Sequence, residues 1–101
     1  MSVSVIIPAL NEEGTVADVV RACLADEPLE VLVIDADCTD ATASRAAAAG
    51  ADVRNWRNIL PEEPRPGKGE SLWRGVAAAK GDIVVFVDAD LESAAPGMVS
   101  A

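Results

Sequence analysis

The chain contains no histidine and is poor in aromatic residues, in cysteine and in positive charge. Two cysteines are too few for a disulfide framework, and without histidine neither Cys23 nor Cys38 has the partner that activates a thiol. The formal net charge is -9 at pH 7, which makes nucleic acid and anionic membrane surfaces unfavourable partners. An anionic substrate would need a bridging cation or local backbone dipoles.

The length of 101 residues fits a single domain, and half of the residues are hydrophobic. Because aromatics contribute only 3% of the chain, its layers should be thin and closely packed. No stretch is long and apolar enough to span a bilayer, and no basic segment precedes the first apolar run. These features predict a cytoplasmic protein.

Continuous apolar runs alternate with helical patterns along the chain. The runs at 3–7, 31–34 and 83–87, with a shorter one at 51–54, are typical of parallel strands covered on both faces. The pattern predicts an α/β fold, half of a doubly wound Rossmann-like parallel sheet with strand order 3-2-1-4. The segment 55–68, rich in proline and charge, should be a loop over the sheet.

Three helices are predicted between these strands. Asn11 is the expected N-cap of the first, and the second should open at Thr39 and stop at Gly50. The third should start near Glu70 and end near Gly81. Its core-facing stripe is expected to comprise Leu72, Trp73 and Val76.

Acidic and polar turns follow three of the predicted strands. "PALNEE" follows the first strand and "DADLES" the fourth, and ligands of such sheets bind where these two strands meet. "DADCTD" follows the neighbouring second strand. The sequence therefore predicts a binding crevice at the carboxyl edge, flanked by Asp88 and Asp90.

A second interpretation of "VLVIDADCT" is a haloacid-dehalogenase-like phosphotransferase with Asp35 as nucleophile and Asp37 as acid/base. That chemistry also needs a later lysine and an acidic pair after a strand. Lys80 and Asp82 precede their strand, which places Asp82 about 20 Å from Asp88 at 3.3 Å per residue. This remains a minor alternative.

The segment "PGKGES" places Lys68 between two glycines before a helix. It has neither the spacing of a P-loop nor that of a dinucleotide fingerprint. A lysine at this place is suited to contact with an anion.

Together, "VSVIIPALNEE", "VLVIDADCTDAT", "RPGKGESLWRG" and "GDIVVFVDADL" resemble the N-terminal half of GT-A fold glycosyltransferases. Within that fold, the motifs are most similar to the family of retaining glucosyl-3-phosphoglycerate synthases. The resemblance implies transfer of glucose from UDP-glucose or GDP-glucose to 3-phosphoglycerate, with Mg²⁺ or Mn²⁺ as cofactor. It also makes Asp88-Ala89-Asp90 the Asp-x-Asp motif.

The same resemblance implies the residues of the donor site. Asp90 and Asp88 would bind the metal, and no catalytic residue is assigned. The nucleotide-sugar would be bound by Pro8, Ala9, Leu10, Glu12, Ala36, Lys68, Asp88 and Ala89. The family usually has Asp-Ser-Gly-Ser-Thr-Asp where this chain has Asp-Ala-Asp-Cys-Thr-Asp, so a hydroxyl that helps to hold the base is replaced by Ala36.

Residues 1–101 are thus expected to form the nucleotide-sugar-binding part of a GT-A domain, without the acceptor half. We expect the isolated chain to bind nucleotide without transferring glucose. Because the predicted strand at 83–87 would be an apolar edge, we also expect a homo-oligomer, which light scattering would detect. The alternative is a non-catalytic binding or assembly module with the same fold.

Overall fold

The computed structural model describes residues 2–90. These residues form a four-stranded, all-parallel sheet in the order β3-β2-β1-β4, with helices on both faces. The predicted fold class and strand order are confirmed. The elements are β1 (Val3–Ala9), α1 (Val16–Ala25), β2 (Glu30–Asp35), α2 (Thr42–Ala49), β3 (Asp52–Asn55), a 3-10 turn (Trp56–Asn58), α3 (Lys68–Ala78) and β4 (Ile83–Phe86).

Successive residues of the central strands point to opposite faces and build two apolar layers. On one face Val5, Ile7, Val31 and Val33 pack with the buried residues of α1 and α2. The other face carries a smaller cluster around Ile6, Leu32, Ile34, Ala36 and Trp56, which partly buried residues of α3 cover. Both faces of β1 and β2 are therefore buried, which explains their continuous apolar sequence.

Helix α3 approaches the sheet more closely than its apolar pattern predicts. A Cβ atom on Gly75 would lie 2.3 Å from Cγ2 of Ile6, so only glycine fits at this contact. The buried residues of α3 are Ser71, Arg74 and Gly75. The predicted stripe is therefore wrong for Trp73 and Val76, which are 64% and 42% exposed.

Two predicted helix starts are also wrong. Helix α1 begins at Val16, because Asn11 adopts a left-handed conformation (φ 56°) and its side chain accepts a hydrogen bond from the Thr39 backbone N–H at 2.8 Å. Helix α2 begins at Thr42, and Thr39 is used in that contact. Its predicted end is confirmed, since Gly50 caps it with φ 111°.

Among the described residues, β3 and β4 form the edges of the sheet. On β4, Ile83 and Phe86 are exposed, and Phe86 keeps 51% of its surface accessible. An exposed apolar edge is a surface that recruits partners. The expected homo-oligomer stays a prediction. None of the helices in residues 2–90 has the length and apolar composition needed to cross a bilayer.

Candidate nucleotide-sugar site

A cleft of about 170 Å³ opens at the carboxyl edge of the sheet, where β1, β2 and β4 end. It is smaller than the roughly 300–1,000 Å³ of pockets that enclose a whole drug-sized ligand, so its described walls suit one part of a larger molecule. The lining residues are Pro8, Ala9, Leu10, Glu12, Ala36, Trp56, Gly67, Lys68, Ser71, Ala89 and Asp90.

Eight of these lining residues were predicted from the sequence, and the ninth predicted residue, Asp88, contacts one of them. The Asp88 carboxylate accepts a hydrogen bond from Lys68 Nζ at 2.9 Å, and this contact raises the pKa of Lys68. Lys68 is the first residue of α3 and follows Gly67, whose φ of 118° favours glycine. The structure therefore brings the predicted residues together, while their roles in binding stay predictions.

The turn after β1 is held in place by the turn before α2. The backbone N–H of Glu12 donates to Thr42 Oγ1 at 2.8 Å, and Thr42 in turn donates to Asp40. Glu13 accepts from the Ala41 backbone N–H at 2.9 Å. These contacts fix the backbone that presents Leu10 and Glu12 to the cleft.

Backbone hydrogen bonds also fix the floor of the cleft. The Ala36 N–H donates to the Ala9 carbonyl at 3.0 Å, extending the ladder between β1 and β2. On the other side of β1, the hydroxyl of Thr15 donates to the Ala89 carbonyl at 2.6 Å. Ala36 and Ala89 are both buried and line the cleft, so their backbones lie close to any ligand that binds there.

Asp37 makes its contacts with the segment after β3 and does not line the cleft. Its carboxylate accepts hydrogen bonds from Arg57 Nε at 2.8 Å and from Asn55 Nδ2 at 3.2 Å. These two partners hold the pKa of Asp37 below its usual value. The Trp56 indole adds a smaller effect of the same sign, although its Nε1–H reaches hydrogen-bond geometry with no acceptor in residues 2–90. The negative charge of Asp37 is thus neutralised by Arg57, outside the cleft.

The geometry does not favour the phosphotransferase alternative. Asp35 accepts a hydrogen bond from the Cys38 backbone N–H at 2.7 Å, and Asp37 is paired with Arg57. Lys80 and Asp82 lie at the amino end of β4, where the Lys80 N–H donates to Glu30 and the Asp82 N–H to Ser2. A strand's length separates them from the cleft.

Cys38 is held in the turn after β2 and is not a reactive thiol. Its Sγ donates to the Ala9 carbonyl and accepts from the Asn11 N–H, both at 3.3 Å. Burial raises the pKa of Cys38 to about 11. The thiol is therefore protonated at neutral pH, as the sequence predicted.

Sequence reasoning missed Trp56, Gly67 and Ser71 as lining residues. Trp56 lies in the segment that was predicted to be a loop over the sheet, and a tryptophan within such a charged segment was the available signal. Ser71 is buried on the sheet-facing side of α3. It lies one turn after Lys68 on the same helix, so the helical period could have linked the two.

The chain is similar in sequence to glycosyltransferases over almost its whole length. A family model described as Glycosyl transferase family 2 matches residues 4–97. The chain belongs to glycosyl transferase family 2. It is 50% identical over 102 residues to the glucosyl-3-phosphoglycerate synthase of Mycolicibacterium paratuberculosis, covering 97% of this chain and 31% of that protein. For the synthase of Petrotoga mobilis the values are 40%, 98% and 33%.

Solved structures of family members share the fold. The crystal structure of the Mycobacterium tuberculosis glucosyl-3-phosphoglycerate synthase superposes with a TM-score of 0.90 at 47% identity, covering 98% of this chain and 38% of that one. The same enzyme in complex with Mn²⁺, UDP-glucose and phosphoglyceric acid gives the same TM-score and identity, with 36% of that chain covered. The chain therefore spans about a third of the length of its curated relatives.

Proposed function

We propose that the cleft binds the nucleoside diphosphate of a nucleotide-sugar, with the diphosphate near β4 and the base near β2 and β3. The observation that carries this proposal is the polarity of the cleft. Lys68 and Asp90 line it at the β4 side, with Asp88 paired to Lys68, whereas Ala36 and Trp56 line it at the other side. A nucleotide has the same polarity, with a charged end and a planar, less polar end.

The order of the strands gives the distance between the charged end and the less polar end of the cleft. Neighbouring strands lie about 4.8 Å apart, so the ends of β4 and β2 are separated by two spacings, about 10 Å. Trp56 follows β3, one spacing further away. A ligand placed across the carboxyl ends of the strands would therefore extend from the acidic turn to the tryptophan.

The carboxylates at the acidic end suit a divalent metal whose remaining ligands come from the bound diphosphate. Within residues 2–90 no three Asp, Glu, Cys or His side chains gather closely enough to hold a metal by themselves. Mg²⁺, however, is commonly held by one or two carboxylates together with substrate phosphates. Asp90 and Asp88 would supply the carboxylates. When bound, Mg²⁺ or Mn²⁺ would offset the repulsion between these carboxylates and the diphosphate and polarise its oxygens.

The residues of the chain would position the donor in other ways. Lys68 places a positive charge at the phosphate end, and the helix N-terminus that it begins adds a favourable dipole. Pro8, Ala9 and Leu10 would contact the nucleoside, with Glu12 beside them. The buried backbones of Ala36 and Ala89 would close the floor against water.

We further propose that a protein of the relatives' length containing this chain transfers glucose from UDP-glucose to 3-phosphoglycerate with retention at the anomeric carbon. Support comes from the similarity to several glucosyl-3-phosphoglycerate synthases, one of which was solved with Mn²⁺, UDP-glucose and phosphoglyceric acid. Proton NMR of the product's anomeric centre tests retention. GDP-glucose is the second donor to be assayed.

Residues 1–101 would form the nucleotide-sugar-binding part of that enzyme. We expect the 101-residue chain to bind the donor without transferring glucose, because holding an acceptor in reactive geometry can be worth about 7–11 kcal/mol of the barrier and the described residues form a donor-type cleft. A non-catalytic binding or assembly module with the same fold is the second candidate.

Calorimetry of the 101-residue chain tests the proposal. Titration with UDP in the presence of Mn²⁺ should give measurable binding, and the same titration in chelator should give little. A parallel assay with radiolabelled UDP-glucose and 3-phosphoglycerate should show no transfer. Equal binding in chelator would refute the metal bridge, and no binding at millimolar UDP would favour the assembly module.

A further inference from the structure

A buried arginine links α3 to the segment that lines the base end of the cleft. Arg74 is 1% exposed. A buried guanidinium is tolerated only when its charge is paired and its donors are used. Its Nε donates to Glu70 at 2.9 Å, which supplies the pairing charge within one helical turn.

Both terminal nitrogens of Arg74 donate to one stretch of backbone. Nη1 donates to the carbonyls of Trp56 at 2.8 Å and of Leu60 at 3.2 Å, and Nη2 donates to that of Glu62 at 2.6 Å. One side chain thus fixes a seven-residue stretch that has no regular structure after its 3-10 turn. A lysine could not reproduce this arrangement, because its ammonium lacks the fixed planar fork of donors.

The same stretch is held from the opposite side by a second arginine. Arg57 pairs with Asp37 after β2 and with Glu63 further along the segment. Trp56 is therefore held at two points. Arg74 donates to its carbonyl, and the next residue, Arg57, is paired with Asp37. The position of Trp56 at the wall of the cleft is therefore set by contacts outside the cleft.

The Trp56 side chain contacts both the core and the cleft. It is 8% exposed, packs with Ala36 and Ile34, and lines the cleft with Ala36. Its indole also acts on the Asp37 carboxylate, which lies outside the cleft. A large rigid ring at the end of a cleft limits the size of what enters.

We propose that Trp56 determines which nucleobase the cleft accepts, and that Arg74 is the positioning residue that holds it there. The inference rests on the proposed function, since it assigns the base to the β2–β3 end. The cleft that Trp56 and Ala36 line has a volume of only about 170 Å³, which favours a single-ring base, so uridine diphosphate should bind more tightly than guanosine diphosphate.

Tryptophan fluorescence tests the proposal, because the chain has two tryptophans and only one lines the cleft. Trp73 is exposed on α3 and serves as the matched control. In Trp73→Phe, addition of UDP with Mn²⁺ should change the emission of Trp56, whereas inorganic pyrophosphate with Mn²⁺ should not. In Trp56→Phe, neither ligand should change the emission of Trp73.

Calorimetric titration with UDP, GDP and pyrophosphate separates a change in base specificity from a general loss of binding. Trp56→Phe should reduce the preference for UDP over GDP by about tenfold, because the smaller ring leaves room for a two-ring base, with pyrophosphate affinity unchanged. Arg74→Lys should likewise reduce the preference for UDP over GDP and leave the affinity for pyrophosphate unchanged. The control Arg54→Lys changes an exposed pair with Asp52 and should alter neither affinity.

The outcomes distinguish this inference from the proposed function. If the wild-type chain fails to bind UDP, both are wrong. If it binds UDP but Trp56 emission does not respond at saturation, or if Trp56→Phe keeps the wild-type preference, only the present inference is wrong. If Arg74→Lys weakens UDP and pyrophosphate equally, Arg74 acts on the whole fold and its positioning role is refuted.

Discussion

The tripeptide Asp-Ala-Asp occurs twice in this chain, each time at the carboxyl end of a strand, and the structure uses the two copies differently. After β2, Asp35 accepts from the Cys38 backbone and Asp37 is paired with Arg57 and Asn55. After β4, Asp88 pairs with Lys68, and Asp90 lines the cleft with no hydrogen bond or ion pair to the rest of residues 2–90. Within each copy, the central alanine lines the cleft.

The difference lies in what surrounds each copy, since the three residues are the same. The copy after β2 is followed by the segment of β3 and the 3-10 turn, which supplies an arginine and an amide to neutralise Asp37. The copy after β4 lies next to α3, which supplies one lysine for two carboxylates. Asp90 makes no hydrogen bond or ion pair among the described residues and is attracted only at longer range by Lys68, so it is available for a ligand, whereas the paired Asp37 is part of the structure.

The largest expected effect is the loss of metal-dependent binding in Asp90→Asn. Asparagine keeps the shape of the side chain but removes the charge that a divalent ion needs. We expect the affinity for UDP with Mn²⁺ to fall by on the order of 100-fold, the upper end of the effects seen for groups around metal sites, with the thermal unfolding midpoint unchanged. Calorimetry and a thermal melt measure the two quantities.

The matched control for that variant is Asp37→Asn, the same change in the other copy. It should lower UDP affinity with Mn²⁺ far less than Asp90→Asn does, because Asp37 does not line the cleft and influences it only through Arg57 and Trp56. If the two variants weaken UDP binding equally, the distinction between a structural and a ligand-binding copy is wrong.

A smaller effect is expected from Ala36→Ser. The hydroxyl that the family usually carries at this position would face a ligand in the cleft, which Ala36 lines. One added hydrogen bond contributes about 1 kcal/mol, so UDP affinity should rise about fivefold. Pyrophosphate affinity, measured in the same calorimeter, should stay constant, and a gain for both ligands would contradict a contact with the base.

The smallest effect concerns acid stability. Because Arg57 and Asn55 lower the pKa of Asp37 from 3.8, the charged carboxylate stabilises the folded chain above that value, and the contribution is lost as the pH falls through the lower folded-state pKa. Asp37→Asn should therefore shift the urea midpoint downward at pH 7 and by a smaller amount at pH 3. An equal shift at both pH values would show that the ion pair with Arg57 is not the cause.

The pattern of the central strands was sufficient to predict the sheet and its order. Strands β1 and β2 are buried on both faces, so their apolar runs are continuous and easily distinguished from helices. The helix starts were less predictable. Asparagine is a common N-cap residue, but the Asn11 side chain accepts a hydrogen bond from Thr39, which is 28 residues away.

Local sequence also determined which side chains carry the chemistry, because motifs at the ends of parallel strands converge on one edge whatever the details of packing. It could not show which of them would be neutralised. That depends on distant partners, such as Arg57 for Asp37 and Lys68 for Asp88, each 20 residues away. The placement of Trp56 by Arg74, and the burial of Arg74 in place of Trp73, were likewise decided by the tertiary structure, since the close contact at Gly75 sets which face of α3 meets the sheet.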